Sequence, residues 1–115
     1  MKNENIVLDK SFNFALSIIG LYKVLIKHKE YVLSKQLLRS ATSIGANIEE
    51  ATAASSKKDF AHKMTISSKE ARETRYWLKL LDKSQIVQMD YSSYIHNVNE
   101  LVKILTAIVK TSQKM

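Results

Sequence analysis

Cysteine and proline are absent from this chain, and glycine occurs only twice, at Gly20 and Gly45. Without cysteine there is no disulfide framework, no thiolate metal site and no sulfur nucleophile. With no proline and so little glycine, the tight turns of a β-protein have almost nothing to build them. An all-α fold follows before any periodicity is considered. The opening stretch "MKNENIVLDK" is too polar for a signal peptide. Apolar runs fall short of the ~20 residues that span a bilayer. The expectation is a soluble, cytoplasmic chain with no membrane contact, whose 115 residues form one domain around one core.

What the chain does have is positive charge, a net +7 from 18 basic and 11 acidic residues. Such an excess suits polyanionic partners, but its placement says more than its size. Residues 1–56 hold seven basic and five acidic groups, residues 57–83 eight and four, and residues 84–115 three and two. More than half of the excess therefore belongs to the third segment.

Apolar residues recur at helical spacing in four segments. In residues 6–27, Phe12, Phe14, Ala15, Ile18, Ile19, Leu21, Tyr22, Leu25 and Ile26 cover about half the helix circumference. That face is wider than one-sided packing requires. A second helix is expected over 35–54 with the stripe Leu37, Ala41, Ile44, Ile48 and Ala51, and with Ser34 as its N-cap. A third is expected over 57–83, opened by a capping box of Ser56 and Asp59. The fourth, over 91–112, has Asp90 as its cap and Tyr94, Val98, Leu101, Leu105 and Ile108 as its stripe. Short connections between helices of this length imply an antiparallel up-down-up-down four-helix bundle.

Catalytic and metal chemistry find little support. His28, His62 and His96 lie in three segments and form no H-E-x-x-H pair. Asp59 with His62 is a single acidic-x-x-His spacing at a helix start, and a dimetal bundle needs two Glu-x-x-His copies. Glu49 and Glu50 are adjacent on a helix and point about 100° apart, so they cannot flank one substrate bond. No phosphate loop or nucleophile elbow is present. The expectation is a non-enzyme with no catalytic residue, no metal, no cofactor and no small-molecule substrate.

The segment "SATSIGANIEEATAASSKKDF", Ser40 to Phe60, is nevertheless unusual. Asn47 falls beside Ser40 and Ser43 in helical projection, among Ala41, Ala46, Ala51, Ala53 and Ala54. Its amide is expected to bond to a neighbouring helix or loop, and the small residues to let helix backbones approach closely. Gly45 weakens the helix interior by ~1 kcal/mol relative to alanine and is expected to mark a slight bend.

The third helix carries the functional signal. Opposite its inward stripe of Phe60, Met64, Ser67, Ala71, Thr74, Leu78 and Leu81 lie Lys58, Lys69, Arg72, Arg75, Lys79 and Lys83. These occupy an arc of roughly 120° that also holds Thr65 and Tyr76. Cations interleaved with a hydroxyl and an aromatic suit phosphates and a stacked base. Exposed helix faces are ordinarily charged, however, and Glu70, Glu73 and Asp82 border the stripe with possible intrahelical pairs. Ile66, Trp77 and Leu80 project about 100° or more from the core direction, which together with the broad face of helix one suggests a homo-oligomer interface.

The segments "QLLRSATSIGANIEEA", "SSKKDF" and "EARETRYWLKLL" resemble the four-helix-bundle family of proteins encoded in 23S ribosomal RNA intervening sequences. Ser43, Ile44, Ala46, Asn47, Ile48 and Glu50 match its second-helix motif, with Ser43, Asn47 and Glu50 as the polar members. Asp59 with Phe60, and Glu73 with Tyr76, Trp77 and Leu78, match the later ones. Gly45 stands where the family commonly has proline, and Ala51 where it commonly has glycine. The resemblance covers residues 12–110. It implies a homopentameric barrel of bundles with a basic surface able to bind nucleic acid. A related branch resembles the accessory subunit of reverse transcriptases in diversity-generating retroelements.

Together these readings give a non-enzymatic, pentameric bundle that binds nucleic acid, RNA rather than DNA, as structured RNA or an RNA–protein complex. The alternative is a protein-interaction scaffold or accessory subunit whose basic face meets an acidic protein.

Overall fold

A computed structural model describes residues 2–114, with side chains from Asn5 onward. Four helices follow one another: α1 (Lys2–Lys27), α2 (Leu33–Thr52), α3 (Lys57–Ser84) and α4 (Ser92–Gln113). Each packs on its sequence neighbours, and α4 closes the ring against α1. Among the described residues the diagonal helices do not pack on each other, so the order around the bundle is the order in the chain. Cross-helix contacts run antiparallel: Ser11 meets Gly45, Arg39 meets Glu73, and Arg72 meets Thr106. The result is an all-α up-down-up-down bundle, 46 × 20 × 20 Å.

The core follows the stripes that the periodicity implies, except that Phe60, Tyr94 and Ile108 are half-buried at its edge and Phe12 is exposed. Ile18, Leu21 and Leu25 of α1 are fully buried, as are Leu37, Ile44 and Ile48 of α2. Met64, Leu78 and Leu81 of α3 and Val98 and Leu105 of α4 complete it. Each such side chain contributes about 1.5–3 kcal/mol of burial, so the amphipathic stripes hold the bundle together.

The helix ends depart from expectation in instructive ways. α1 begins at Lys2 rather than Ile6, and α2 runs two residues earlier at both ends. Ser34 is not the N-cap of α2; it lies buried inside the first turn and donates to the Glu30 carbonyl at 2.7 Å. Capping falls to the Glu30 side chain, whose two oxygens accept from Leu33 N–H at 2.7 Å and Ser34 N–H at 2.9 Å. Glu30 can reach because α1 ends in a Schellman turn, with Glu30 N–H on Leu25 O and Lys29 N–H on Ile26 O. Lys29, at φ 65°, occupies the left-handed position that glycine usually fills. Ser56 does cap α3, accepting from Asp59 N–H at 3.0 Å. α4 begins at Ser92 with Tyr91 as its N-cap, so Asp90, expected as the cap, lies one residue outside that position and accepts from Ser92 N–H at 2.9 Å.

The α3–α4 connection is organised by Gln85, itself left-handed at φ 48°. Its side-chain nitrogen donates to Asp82 O and Met89 O, and its oxygen accepts from Met89 N–H. Tyr91, fully buried below this loop, donates its hydroxyl to Val87 O at 2.7 Å.

Candidate nucleic-acid interface

The α2–α3 contact decides how α3 presents its outer side. Helices pack closely where their facing residues are small, and here those residues also bond across the gap. The Ser67 hydroxyl donates to Ile44 O at 2.8 Å, and the Thr74 and Ser40 hydroxyls share a 2.8 Å bond. All three hydroxyl residues are fully buried. On the other side of α2, a Cβ at Gly45 would lie 3.3 Å from the Ser11 hydroxyl, so α1 also comes in close. Of the alanines around Asn47, Ala41 and Ala51 are buried in this packing, whereas Ala46 and Ala53 are exposed and Ala53 and Ala54 lie beyond the end of α2.

Asn47 has a different role from the one expected. Its amide donates to Ser43 O at 2.9 Å, one turn back along its own helix, and not to a neighbouring element. Ser67 and Ser40, not Asn47, supply the cross-helix bonds. Ser43 is half-buried, and Glu50 is exposed with Glu49 at the end of α2. These motif residues shape α2 and gather no chemical group around them.

The carboxylates bordering the α3 cations are also placed differently. Glu70 and Glu73 do not pair along α3. Both accept from Arg39 of α2, Glu70 at 3.3 Å and Glu73 by a shorter contact. Trp77 Nε1 donates to the same Glu73 oxygen at 3.0 Å. That indole bond, ahead of the one from Arg39, holds the Glu73 carboxyl below its ordinary 4.5. Conversely, the bonds to Glu73 and then Glu70 push the Arg39 guanidinium up. Arg39 thus draws two negative charges onto the α2 flank of α3. It was not singled out from sequence, although it is the lone cation between Lys35 and Lys57.

On the outer side of α3 the expected site residues share one face, and its two arginines lean toward α4. Lys58, Lys69, Arg72, Tyr76, Lys79 and Lys83 are exposed, and Arg75 is half-buried. Arg72 donates to the Thr106 hydroxyl at 3.3 Å and Arg75 to the Asn99 amide oxygen at 3.4 Å. Neutral acceptors on α4 therefore steady both guanidinium groups without cancelling their charge. Among the described residues, no carboxylate lies within ion-pair distance of any of these cations. Thr106 and Asn99 were not expected contributors, because nothing in a single helix predicts which neighbour its arginines lean on.

The expected interface residues Ile66, Trp77 and Leu80 are each half-buried within the monomer, Trp77 packing against the core. More exposed apolar side chains lie on α1. Phe12 is 64% and Leu16 53% exposed, with Ile19 on the same side. No group of three or more potential metal ligands occurs among the described residues, and none of their helices is long and apolar enough to cross a membrane.

Fold and site together define an antiparallel four-helix bundle whose third helix carries an outward row of lysines and arginines beside a polar packing seam. The chain belongs to the 23S rRNA-intervening sequence protein family, whose profile matches residues 3–107. It is similar to a crystal structure from Bacteroides thetaiotaomicron VPI-5482, described as a protein of unknown function from the S23 ribosomal protein family. The two share 49% identity over 94% of this chain and 98% of the other, with a TM-score of 0.88. No curated protein matches the chain.

Proposed function

We propose that this protein is a non-enzymatic, oligomeric nucleic-acid-binding bundle that acts on structured RNA or an RNA–protein complex through the outer side of α3. One observation carries the reading. The acidic neighbours of the row, Glu70 and Glu73, are drawn to Arg39 on the opposite flank, while Arg72 and Arg75 rest on neutral Thr106 and Asn99. A merely solvated charged face would be expected to pair its signs locally. Among the described residues no carboxylate compensates these cations, Tyr76 is exposed among them, and that suits phosphates with a stacked base. The crystallised relative is described as from the S23 ribosomal protein family, which makes RNA the first polyanion to test.

Assembly is the second part of the proposal. Phe12, Leu16 and Ile19 form an apolar stripe on α1 that the monomer leaves in water, and a pentamer would bring five copies of the α3 row together. Multivalent contact would then raise affinity without new contacts per subunit.

The test is a salt titration of RNA affinity. Replacing Arg72, Arg75 and Lys79 together with Gln is expected to weaken binding strongly. The log affinity against log salt slope should flatten by ~0.7–0.9 for each lost phosphate contact. Lys10, Lys110 and Lys114, exposed and away from α3, form a control triple of equal charge change. Equal loss from both triples would reduce the effect to net charge and discard the reading. A preference for an acidic polypeptide over RNA would favour the scaffold alternative.

A further inference from the structure

The end of the bundle where α1 turns into α2 and α3 into α4 holds a half-open groove of about 410 Å³. It is lined by His28, Lys29, Tyr31, Leu33, Ile86 and Val87, among others. Its walls are apolar and unusually exposed for this molecule: Tyr31 is 61%, Ile86 62% and the adjoining Val32 73% exposed. Polar groups are few and specific. The His28 Nδ1 lies 2.9 Å from Val24 O, and a carbonyl only accepts, so Nδ1–H is committed there and Nε2 is the ring nitrogen left to meet a ligand. Both Glu30 oxygens are occupied by the α2 N-terminus.

Lys29 adds an independent indication. It holds φ 65° at the C′ position of a Schellman turn, where glycine would sit without strain. Lys29 itself lines the groove and brings a cation to its edge. The groove-lining Ile86 follows the end of α3, where the cationic row also ends. Lys83, the last residue of that row, is three positions before Ile86, and Lys69 to Lys83 spans about 21 Å of helix.

We infer that the groove takes one unpaired nucleobase from a single-stranded segment of the RNA lying along α3. The base stacks on Tyr31 over the apolar floor of Leu33, Ile86 and Val87. Lys29 meets the phosphate beside it, and His28 Nε2 meets the edge of the base. Concave apolar walls with an aromatic face and a few convergent polar groups are what a planar heteroaromatic ligand requires, and the flanking lysines match its phosphates. The inference rests on the α3 reading and adds a requirement for an unstacked base.

The experiment uses the full-length protein and fluorescence anisotropy with a labelled single-stranded RNA of about 12 nucleotides, within the usual site size of such surfaces. The same RNA as a duplex and an abasic backbone of equal length serve as comparisons. Tyr31→Ala is expected to weaken single-strand binding roughly 5- to 150-fold, the range for one lost stacked base. It should leave the salt slope unchanged and leave duplex and abasic affinity as in the unmodified protein. Tyr31→Phe retains binding. Lys29→Gly lowers the slope by ~0.7 without loss of helicity.

If Tyr31→Ala and Lys29→Gly both bind the single strand normally while the Arg72, Arg75 and Lys79 triple fails, the groove inference is overturned and the α3 reading stands. If the triple also binds normally, both are overturned. Equal weakening of abasic and intact RNA by Tyr31→Ala would likewise overturn the stacked-base role.

Discussion

The Ser67 side chain of α3 donates a hydrogen bond to the backbone carbonyl of Ile44 in the middle of α2, at 2.8 Å and out of contact with water. A helix-interior carbonyl already serves its own helix, so this second bond uses a spare lone pair and pins two helices at one height. Ser67→Ala leaves Ile44 O with its helical partner and is expected to cost only about 1 kcal/mol. Ser67→Val adds bulk where the backbones are close, and overpacking should add a further ~1–3 kcal/mol. Urea denaturation of the two variants measures the difference, and equal costs would mean that the seam is loosely packed.

The α1–α2 turn offers a pair of opposed stability effects. Glu30→Ala strips two N–H groups of their acceptors and should cost about 1–2 kcal/mol, as loss of a helix cap does. Lys29→Gly removes left-handed strain and should gain roughly 1 kcal/mol. Gln85→Gly relieves a similar conformation at φ 48° but forfeits three side-chain bonds, so no net gain is expected there. Denaturant midpoints for the three variants check the order.

Trp77 is the only tryptophan, and its indole donates to Glu73, so its emission reports on that carboxylate. The folded-state pKa of Glu73 is lowered from 4.5. A lowered folded pKa gives stability that is present above the unfolded value and lost as pH falls through the folded one. Acidification should therefore change Trp77 emission at a midpoint below 4.5 while helicity persists. Glu73→Gln should abolish that step. An unchanged step in the variant would assign it to another group.

Assembly can be tested on the α1 stripe. Phe12→Asp combined with Leu16→Asp places charges on side chains that the monomer exposes, so the fold should survive. Light scattering is expected to give a multiple of 13.1 kDa for the unmodified chain and 13.1 kDa for the variant. A monomeric unmodified chain at micromolar concentration would remove the oligomer from the proposal.

How far the sequence could be read varied with the kind of contact. The all-α bundle was legible because burial stripes obey one period, and Leu37, Ala41, Ile44, Ile48 and Ala51 are all buried where that period puts them. The outward position of Lys69, Arg72 and Lys79 followed from the same geometry. Partners across helices were not legible. Asn47 stood out as a polar residue in an apolar helix, yet its bond goes to Ser43 O of the same helix, while Ser67 supplies the cross-helix bond. Arg39 escaped notice because its carboxylates lie 31 and 34 residues away, and no local spacing encodes that meeting. The Ser34 cap failed for a related reason: a Schellman turn let the Glu30 side chain reach the helix first.

The hydroxyl seam between α2 and α3 bears on the order of folding. These helices are joined by a short connection from Thr52 to Lys57, so their pairing costs little loop-closure entropy. Apolar layers alone tolerate a one-turn slip, whereas the Ser67–Ile44 and Ser40–Thr74 bonds are satisfied in a single alignment. We expect the α2–α3 hairpin to form the nucleus, with α1 and α4 docking afterwards. Ile44→Val and Ala71→Gly should then slow folding with φ-values of about 0.5–0.8, while Val98→Ala should chiefly speed unfolding. Stopped-flow chevrons would decide it. High values confined to α4 would place the nucleus at the opposite side of the ring.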